Sequence, residues 1–131
     1  MVDEWVQRIR EGSNLTVLAE DSGSIAGYAA LAAEPLRWTR SVPEVRLNVA
    51  AEFRSRGLGS LLISELVALA PEAGARKVTA QMTVEQAEAR RLFARLGFHE
   101  VATLDGWVVD RRGLPRDLVI VVKDVGRADD P

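Results

Sequence analysis

The sequence predicts a single α/β domain with a mixed sheet, on three observations. The 131 residues are 47% hydrophobic and 27% charged, a balance that suits one packed core of ordinary domain size. Several stretches alternate apolar and polar residues, as strands with one buried face do. Later in the chain, strands and helix-spaced stretches follow in the order strand, helix, strand, helix, which is typical of α/β folds. We therefore expect residues 1–131 to form one domain.

The N-terminal third predicts a short helix followed by a hairpin. Apolar residues with helical spacing stop at Gly12, which predicts a short helix over residues 3–11 within the segment 1–12. Apolar and polar residues alternate over 15–19 and again over 25–33. The turn residues Asp-Ser-Gly-Ser lie between these two stretches, so we expect two antiparallel strands there.

The remaining elements are predicted from the spacing of apolar residues and from the proline and glycine residues that end helices. They are a strand over 45–49, a helix from Leu58 that ends near Pro71 and Gly74, a strand over 78–82, a helix from about Glu85 that ends at Gly97, and strands over 98–103 and 118–122. We expect residues 124–131 to be a frayed tail.

Composition excludes several classes of function. The net charge is −2, from 17 basic and 19 acidic residues without a long block of either sign, so we expect no partnership with nucleic acid or membrane. The chain has no cysteine and a single histidine, His99, which argues against a thiolate or multi-histidine metal site. No apolar run has the length of a signal peptide or a membrane span, so a cytoplasmic protein is expected.

The segment between the strand over 45–49 and the helix from Leu58 is a candidate anion site. Arg54 and Arg56 precede Gly-Leu-Gly-Ser there, and no acidic residue lies between Glu52 and Glu65. A helix N-terminus presents unpaired amides and a partial positive charge, and glycine lets a ligand approach the backbone, so a diphosphate fits. The alternative is a tight turn with solvated arginines. The spacing is neither that of a Walker loop nor that of a dinucleotide fingerprint.

Two motifs together resemble those of a known family. Arg54-Ser55-Arg56-Gly57-Leu58-Gly59-Ser60 resembles the acetyl-CoA signature of the GCN5-related N-acetyltransferases (GNAT). Ala89-x-x-Leu92-Phe93-x-x-Leu96-Gly97-Phe98 resembles the second motif of that family. The likeness covers about residues 14 to 123, and the C-terminal stretch is similar to the branch that acetylates phosphinothricin and amino acids.

The resemblance implies a fold, an activity and a cosubstrate. The fold would be the GNAT fold, with two central strands splayed apart and an N-terminus shorter than usual. The activity would be transfer of an acetyl group from acetyl-CoA to a primary amine of a small molecule or peptide, by direct attack in a ternary complex and without a metal. The shortened start also suggests a homodimer, in which a partner completes the acceptor wall or covers an exposed edge.

The resemblance also assigns roles to particular residues. The backbone of Leu47, Asn48 and Val49 would bind the pantetheine arm, and the N–H of Val49 would stabilise the oxyanion. The diphosphate would bind Arg54, Ser55, Arg56, Gly57, Leu58, Gly59 and Ser60. The second motif adds Gln86, Ala89 and Phe93 as cofactor-binding positions. Glu44 is the candidate general base, acting through water.

Two positions depart from the family pattern. Gln86 stands where an asparagine is frequent, which keeps the amide chemistry. Phe93 stands where a tyrosine is frequent that is thought to protonate the departing thiolate, so Tyr28 or a water would have to take that role. An alternative is therefore a non-catalytic acyl-CoA-binding regulatory domain, and a third interpretation is an interaction module in which the glycine loop is only a turn.

Overall fold

The structure is a computed structural model that describes residues 5–11, 14–33, 37–54 and 57–126, the first range by its backbone alone. The predicted α/β class is confirmed, since these ranges contain seven strands and two α-helices. The strands are β1 (Trp5–Glu11), β2 (Asn14–Asp21), β3 (Ser24–Ala32), β4 (Glu44–Val49), β5 (Lys77–Thr83), β6 (His99–Val109) and β7 (Pro115–Asp124), and the helices are α1 (Leu58–Leu69) and α2 (Ala87–Arg95). Short 3-10 turns occupy Ala51–Phe53 and Ala70–Ala73.

The chain divides into two compact units. The first takes Met1–Val78 together with Asp124–Pro131, and the second takes Thr79–Lys123. The second unit is thus continuous in sequence, whereas the first is completed by the end of the chain.

Four antiparallel strands form the first unit's sheet, in the order β1-β2-β3-β4. The β2–β3 hairpin turns through Ser22 and Gly23, which both have positive φ, 52° and 83°. Positive φ at both central residues is the geometry of the type I′ turn, whose twist matches that of the flanking strands. The predicted hairpin is therefore confirmed.

Helix α1 covers one face of this sheet, packing on β2, β3 and β4. The buried strand residues alternate, as predicted, and they meet an apolar face of the helix. The buried side chains are Leu15, Val17, Ala19, Ala29, Leu31 and Val45 from the strands, and Leu58, Leu62, Ile63 and Leu66 from α1. This core holds the end of β4 and the start of α1 in place.

In the second unit the strand order is β5-β7-β6, and α2 ends at a C-terminal cap. The N–H groups of Gly97 and Phe98 donate to the carbonyl oxygens of Ala94 at 3.1 Å and Phe93 at 3.0 Å. Gly97 has φ 91°, and the rings of Phe93 and Phe98 meet edge to face with centroids 4.9 Å apart. These bonds and the apolar contact constitute a Schellman motif, and they confirm Gly97 as the end of the helix.

The predicted N-terminal helix is wrong, because Trp5–Glu11 is the strand β1. Its backbone pairs with β2 over seven positions, from Trp5↔Glu20 to Glu11↔Asn14. A helix this short has only marginal stability on its own. A strand that is joined to its neighbour by only two residues gains the backbone hydrogen bonds of a full antiparallel ladder.

Residues 124–126, at the start of the predicted tail, are held by backbone hydrogen bonds. Strand β7 continues to Asp124, and the N–H groups of Val125 and Gly126 both donate to the carbonyl oxygen of Arg76. Residues 127–131 lie outside the described part of the chain. Neither described helix is long and apolar enough to cross a membrane.

Candidate active site

The backbone of β4 alternates its direction along the strand. Ala50 donates its N–H to the carbonyl oxygen of Ala26 at 2.8 Å, one position beyond the register pair Gly27↔Val49. Because hydrogen-bonded and non-hydrogen-bonded pairs alternate in an antiparallel ladder, Gly27↔Val49 is a non-hydrogen-bonded pair. The N–H and C=O groups of Leu47 and Val49 therefore point to the edge of β4 opposite β3.

Asn48 lies in the intervening position, and its backbone groups are directed to Tyr28 of β3. Its side chain is exposed, on the sheet face that α1 does not cover. Tyr28 has its phenol on this same face and is 37% exposed. Of the three residues predicted to bind with their backbone, Leu47 and Val49 have the required direction, and Asn48 offers its side chain.

Arg54 is drawn back onto the end of β4. Its Nε donates to the carbonyl oxygen of Val49 at 3.2 Å. The guanidinium is thereby held beside the strand end that precedes α1, and its terminal N–H groups extend from there. Two other residues of the predicted loop precede Gly57. They are Ser55 and Arg56, and both lie outside the described residues.

The N-terminus of α1 has no side-chain cap. Its N-cap is Gly57, in the left-handed conformation (φ 79°), and the first turn contains no acidic residue. The first helical bond runs from the N–H of Leu61 to the carbonyl oxygen of Gly57, so the amides of Leu58, Gly59 and Ser60 precede the helical ladder. Among the described residues, no atom lies within 4 Å of a Cβ built on Gly57. The arrangement suits an anion that approaches the backbone.

Glu44, the predicted base, begins β4 and pairs with a cation on its own strand. Its Oε2 lies 3.5 Å from Nε of Arg46, and its side chain is 32% exposed. Glu44, Arg46 and Asn48 alternate along β4 and so share the face that carries Tyr28. An exposed pair of this kind contributes little to stability, which leaves the carboxylate available for other partners.

The distance along β4 limits what Glu44 can do. Five residues separate it from Val49, which at the rise of an extended strand is about 16 Å between Cα atoms. A glutamate side chain does not span that interval, so a carboxylate at position 44 serves a reaction centre at Val49 only through water or another relay. The role of Glu44 as a base that acts through water stays a prediction.

The predicted residues of the second motif belong to the second unit. Gln86 is the N-cap of α2, and its Oε1 accepts the N–H of Thr83 at 2.9 Å, so its side chain braces the turn after β5. Ala89 is half-buried in the first turns of α2. Phe93 is 5% exposed, with its ring against Phe98. The aromatic at position 93 therefore has a packing role in the fold and supplies no hydroxyl.

Ion pairs also hold Glu85, which lies in the turn that follows β5. Arg116 of β7 donates through Nε to Asp110 at 2.9 Å and through Nη1 to Glu85 at 3.4 Å. The backbone N–H of Leu114 is the main reason that the pKa of Asp110 is lowered, with Arg116 and the N–H of Arg112 acting in the same direction. Asp110 in turn raises the pKa of Arg116. The carboxylate is thus held charged, and Glu85, next to Gln86, is tethered to β7.

Gly27 is a site residue that the sequence interpretation missed. A Cβ there would lie 2.9 Å from the carbonyl oxygen of Asn48 and 3.2 Å from Cδ1 of Leu62. Only glycine lets α1 and the end of β4 approach β3 this closely. The available signal was a glycine inside a strand pattern, which often marks a close backbone approach.

In the described ranges, no three His, Asp or Glu side chains are grouped so that they could hold a metal ion.

Comparison of the sequence with known proteins identifies a family. The sequence model described as "Acetyltransferase (GNAT) family" matches residues 1–98. The chain is 27% identical over 122 residues to YwnH of Bacillus subtilis, described as a candidate phosphinothricin acetyltransferase, and the match covers 88% of this chain and 75% of YwnH. It is 36% identical over 70 residues to the uncharacterized N-acetyltransferase MJ1207 of Methanocaldococcus jannaschii, covering 53% of this chain but only 31% of that protein.

Solved structures confirm the fold. The structure of yncA, described as a candidate acetyltransferase from Salmonella typhimurium and solved with its cofactor acetyl-CoA, superposes with a TM-score of 0.82. The two chains are 24% identical, and the match covers 90% of this chain and 68% of that one. The fold predicted from the two motifs is therefore the fold observed.

Proposed function

Because this chain belongs to the acetyltransferase (GNAT) family, we propose that it is an N-acetyltransferase that moves an acetyl group from acetyl-CoA to a primary amine. The observation that carries the proposal is the end of β4, where uncapped amides of α1, Arg54 and outward-directed backbone groups of β4 occur together. That combination fits a ligand with a diphosphate and an extended amide arm. The yncA structure, solved with acetyl-CoA, supports the choice of ligand.

Each part of this region has a role in the proposal. The N–H groups of Leu58, Gly59 and Ser60 bind the diphosphate, and Arg54 adds a charge-assisted contact. The backbone of Leu47 and Val49 binds the pantetheine arm as an added strand would. Ser55 and Arg56 are assigned to the same diphosphate site by the motif alone, and Gln86, Ala89 and Phe93 are assigned to the cofactor by the second motif.

The chemistry follows from the groups present. Acetyl-CoA would supply the acyl group as a thioester. The N–H of Val49 points away from β3 and would stabilise the oxyanion that develops when the amine attacks. The amine must first lose a proton, and Glu44 would accept it through water, since its carboxylate lies too far along β4 for direct transfer. The attack is direct, because the chain has no cysteine to carry the acyl group.

The burial of Phe93 favours a second candidate function, a non-catalytic acyl-CoA-binding regulatory domain. No hydroxyl is present at position 93 to protonate the thiolate, and a positioned acid is worth roughly 10²- to 10⁴-fold in rate. Tyr28 is our candidate substitute, because its phenol lies on the same sheet face as Asn48 and Glu44. Binding of acetyl-CoA without turnover, against all amines tried, would favour the regulatory function.

The first experiment is calorimetric titration with acetyl-CoA and coenzyme A, followed by thiol release against a panel of primary amines. We expect binding and turnover. Gly59→Trp should abolish binding by filling the approach to the α1 amides, whereas Glu44→Gln should keep binding and alter the pH profile of turnover. Failure of the wild-type protein to bind coenzyme A would refute the proposal.

We propose in addition that two copies associate through β6. This strand ends the strand order β5-β7-β6 in the described part of the chain, and it exposes Val101, Trp107 and Val109, each more than half accessible. An exposed strand edge with apolar side chains is a ready surface for pairing. Light scattering after chromatography tests this, with Val101→Lys expected to shift the mass from dimer to monomer.

A further inference from the structure

The tip of the β3–β4 connection presents a tryptophan to solvent. Trp38 is 97% exposed, whereas most large apolar side chains in the described part of the chain are buried or half-buried. Among the residues that the structure describes, none covers the indole, unlike the side chains that line a concave small-molecule pocket. An exposed tryptophan contributes almost nothing to folding and gains a large apolar contact when a partner covers it.

The turn that carries Trp38 is held by defined hydrogen bonds. The N–H of Arg40 donates to the carbonyl oxygen of Arg37 at 3.1 Å, and that of Val42 donates to Thr39 at 2.9 Å. The carbonyl oxygen of Ser41 accepts the N–H groups of Arg76 at 2.8 Å and Lys77 at 3.3 Å, at the start of β5. The tryptophan is therefore presented on a backbone that is already ordered, which lowers the entropic cost of binding.

The surface around Trp38 is positively charged. Arg37 and Arg40 flank it and are exposed, and Arg76, joined to the turn through Ser41, is exposed as well. The segment from Arg37 to Pro43 contains no acidic residue. Lys77, the next cation, is paired with Asp124. Arg37 and Arg40 thus lie close to Trp38 in sequence, and Arg76 adjoins the same turn through Ser41, on a chain whose net charge is −2.

We propose that this surface, formed by Arg37, Trp38, Arg40 and Arg76, docks an acidic polypeptide segment whose amine is the acceptor of the proposed acetyl transfer. Arginine binds carboxylates in bidentate pairs, and tryptophan and arginine are the residues most enriched at interface hot spots. The overall negative charge and the small extent of the cluster are unlike the broad basic surfaces that bind nucleic acid.

The position of the surface links it to the reaction. Trp38 precedes Glu44 by six residues, so their Cα atoms are separated by at most about 20 Å. The reaction centre at Val49 lies about 16 Å further along β4. Even the sum of the two intervals is covered by roughly eleven extended residues, which allows an acceptor amine to reach Val49 while acidic residues further along contact the arginines.

The proposal rests on the proposed acetyltransferase function, and it is tested with two peptides of equal length. One carries a free N-terminal serine followed by glutamates, and the other the same serine followed by lysines. We expect wild type to acetylate the acidic peptide with kcat/KM at least about 10-fold higher, and the preference to fall as salt is raised. Trp38→Ala should remove most of the preference, and the double variant Arg37→Glu with Arg40→Glu should reverse it.

The control is Arg111→Glu with Arg112→Glu, which makes the same charge change on the β6–β7 turn and should leave the preference intact. Calorimetry with coenzyme A separates the two proposals, because all these variants should keep wild-type coenzyme A affinity. If coenzyme A does not bind, the enzyme proposal fails, and docking is judged by direct titration of the acidic peptide against wild type and Trp38→Phe.

Three results would overturn the docking surface. The first is an equal preference in wild type and in the charge-reversed variant. The second is turnover of small amines with no activity on either peptide and no peptide binding. The third is Trp38-dependent binding of a single-stranded oligonucleotide or of phosphatidylserine vesicles instead of the acidic peptide.

Discussion

The Nε of Arg54 and the carbonyl oxygen of Val49 are joined by a hydrogen bond of 3.2 Å, although the two residues lie on opposite sides of a 3-10 turn. The bond uses the Nε–H at one edge of the guanidinium, and it closes the connection between β4 and α1. A single side chain therefore combines a local structural role with the charge that the proposed diphosphate site requires.

Replacing Arg54 with alanine should weaken coenzyme A binding by about 10- to 100-fold, the usual worth of a hydrogen bond to a charged group. Arg54→Lys keeps the charge but lacks the planar fork, so its affinity should fall between the two. Calorimetry measures both, with Arg111→Ala on the β6–β7 turn as the matched loss of one exposed arginine. Equal dissociation constants for wild type and Arg54→Ala would remove Arg54 from the site.

Gly27→Ala should destabilise the protein by about 1–3 kcal/mol, the usual cost of an overpacked core. The new Cβ would lie 2.9 Å from the backbone oxygen of Asn48, which cannot move without shifting β4. Urea unfolding measures the change, and Ala30→Gly on the same strand controls for strand propensity. Trimming the second contact with Leu62→Val should not restore stability; if it does, the side chain rather than the strand sets the limit.

Gly97→Ala should cost about 1–2 kcal/mol, because its φ of 91° is left-handed and a β-carbon strains that conformation. The nearest atom to the added carbon is Nζ of Lys123 at 2.6 Å, the end of a flexible side chain that can move away. Gly97→Asn should cost less, since asparagine tolerates this conformation. Thermal unfolding ranks the three proteins; identical stability of the alanine and asparagine variants would contradict the backbone explanation.

Asp110 should make stability fall as the solution becomes acid. Its pKa is lowered in the folded protein, first by the N–H of Leu114, from an ordinary value of 3.8. A group whose folded pKa is lowered stabilises the protein above its unfolded pKa, and this contribution is lost as pH falls through the folded pKa. Asp110→Asn should therefore be less stable than wild type at pH 7 and should lose less stability below about pH 4.

The measurement is urea unfolding of both proteins from pH 7 to pH 3, with the exposed Asp105→Asn as a control for the removed charge. If the free energies of unfolding of wild type and Asp110→Asn changed in parallel with pH, the hydrogen bonds to Asp110 would not contribute to the pH dependence of stability.

Elements whose burial alternates were predictable from the sequence. Val78, Ala80 and Met82 are the buried residues of β5, and Leu58, Leu62 and Leu66 form the buried face of α1, as their spacing indicates. The type I′ turn and the glycine end of α2 were also readable, because both need backbone angles that few residues adopt. The signature loop was found because glycines and arginines stand between a strand and a helix.

The structural features that the sequence pattern could not predict depend on contacts with residues distant in sequence. Strand β1 has a mixed pattern, and its state is decided by the ladder that β2 offers. The irregularity of β6 between Leu104 and Val108 is fixed by Asp117, whose Oδ1 accepts the N–H of Gly106. Arg54 on Val49 is likewise a tertiary contact. Local pattern carries no information on such pairings, and only the folded chain supplies them.

The two N–H groups that reach the carbonyl oxygen of Arg76 come from Val125 and Gly126, close to the end of the chain. The first unit thus includes residues that are translated after the whole of the second unit, Thr79–Lys123. Because synthesis proceeds from the N-terminus at about 5–20 residues per second, every residue of the second unit is made before Val125 and Gly126 can bond to Arg76. A chain cut after Lys123 would keep every residue of the second unit and would lose both of these hydrogen bonds of the first.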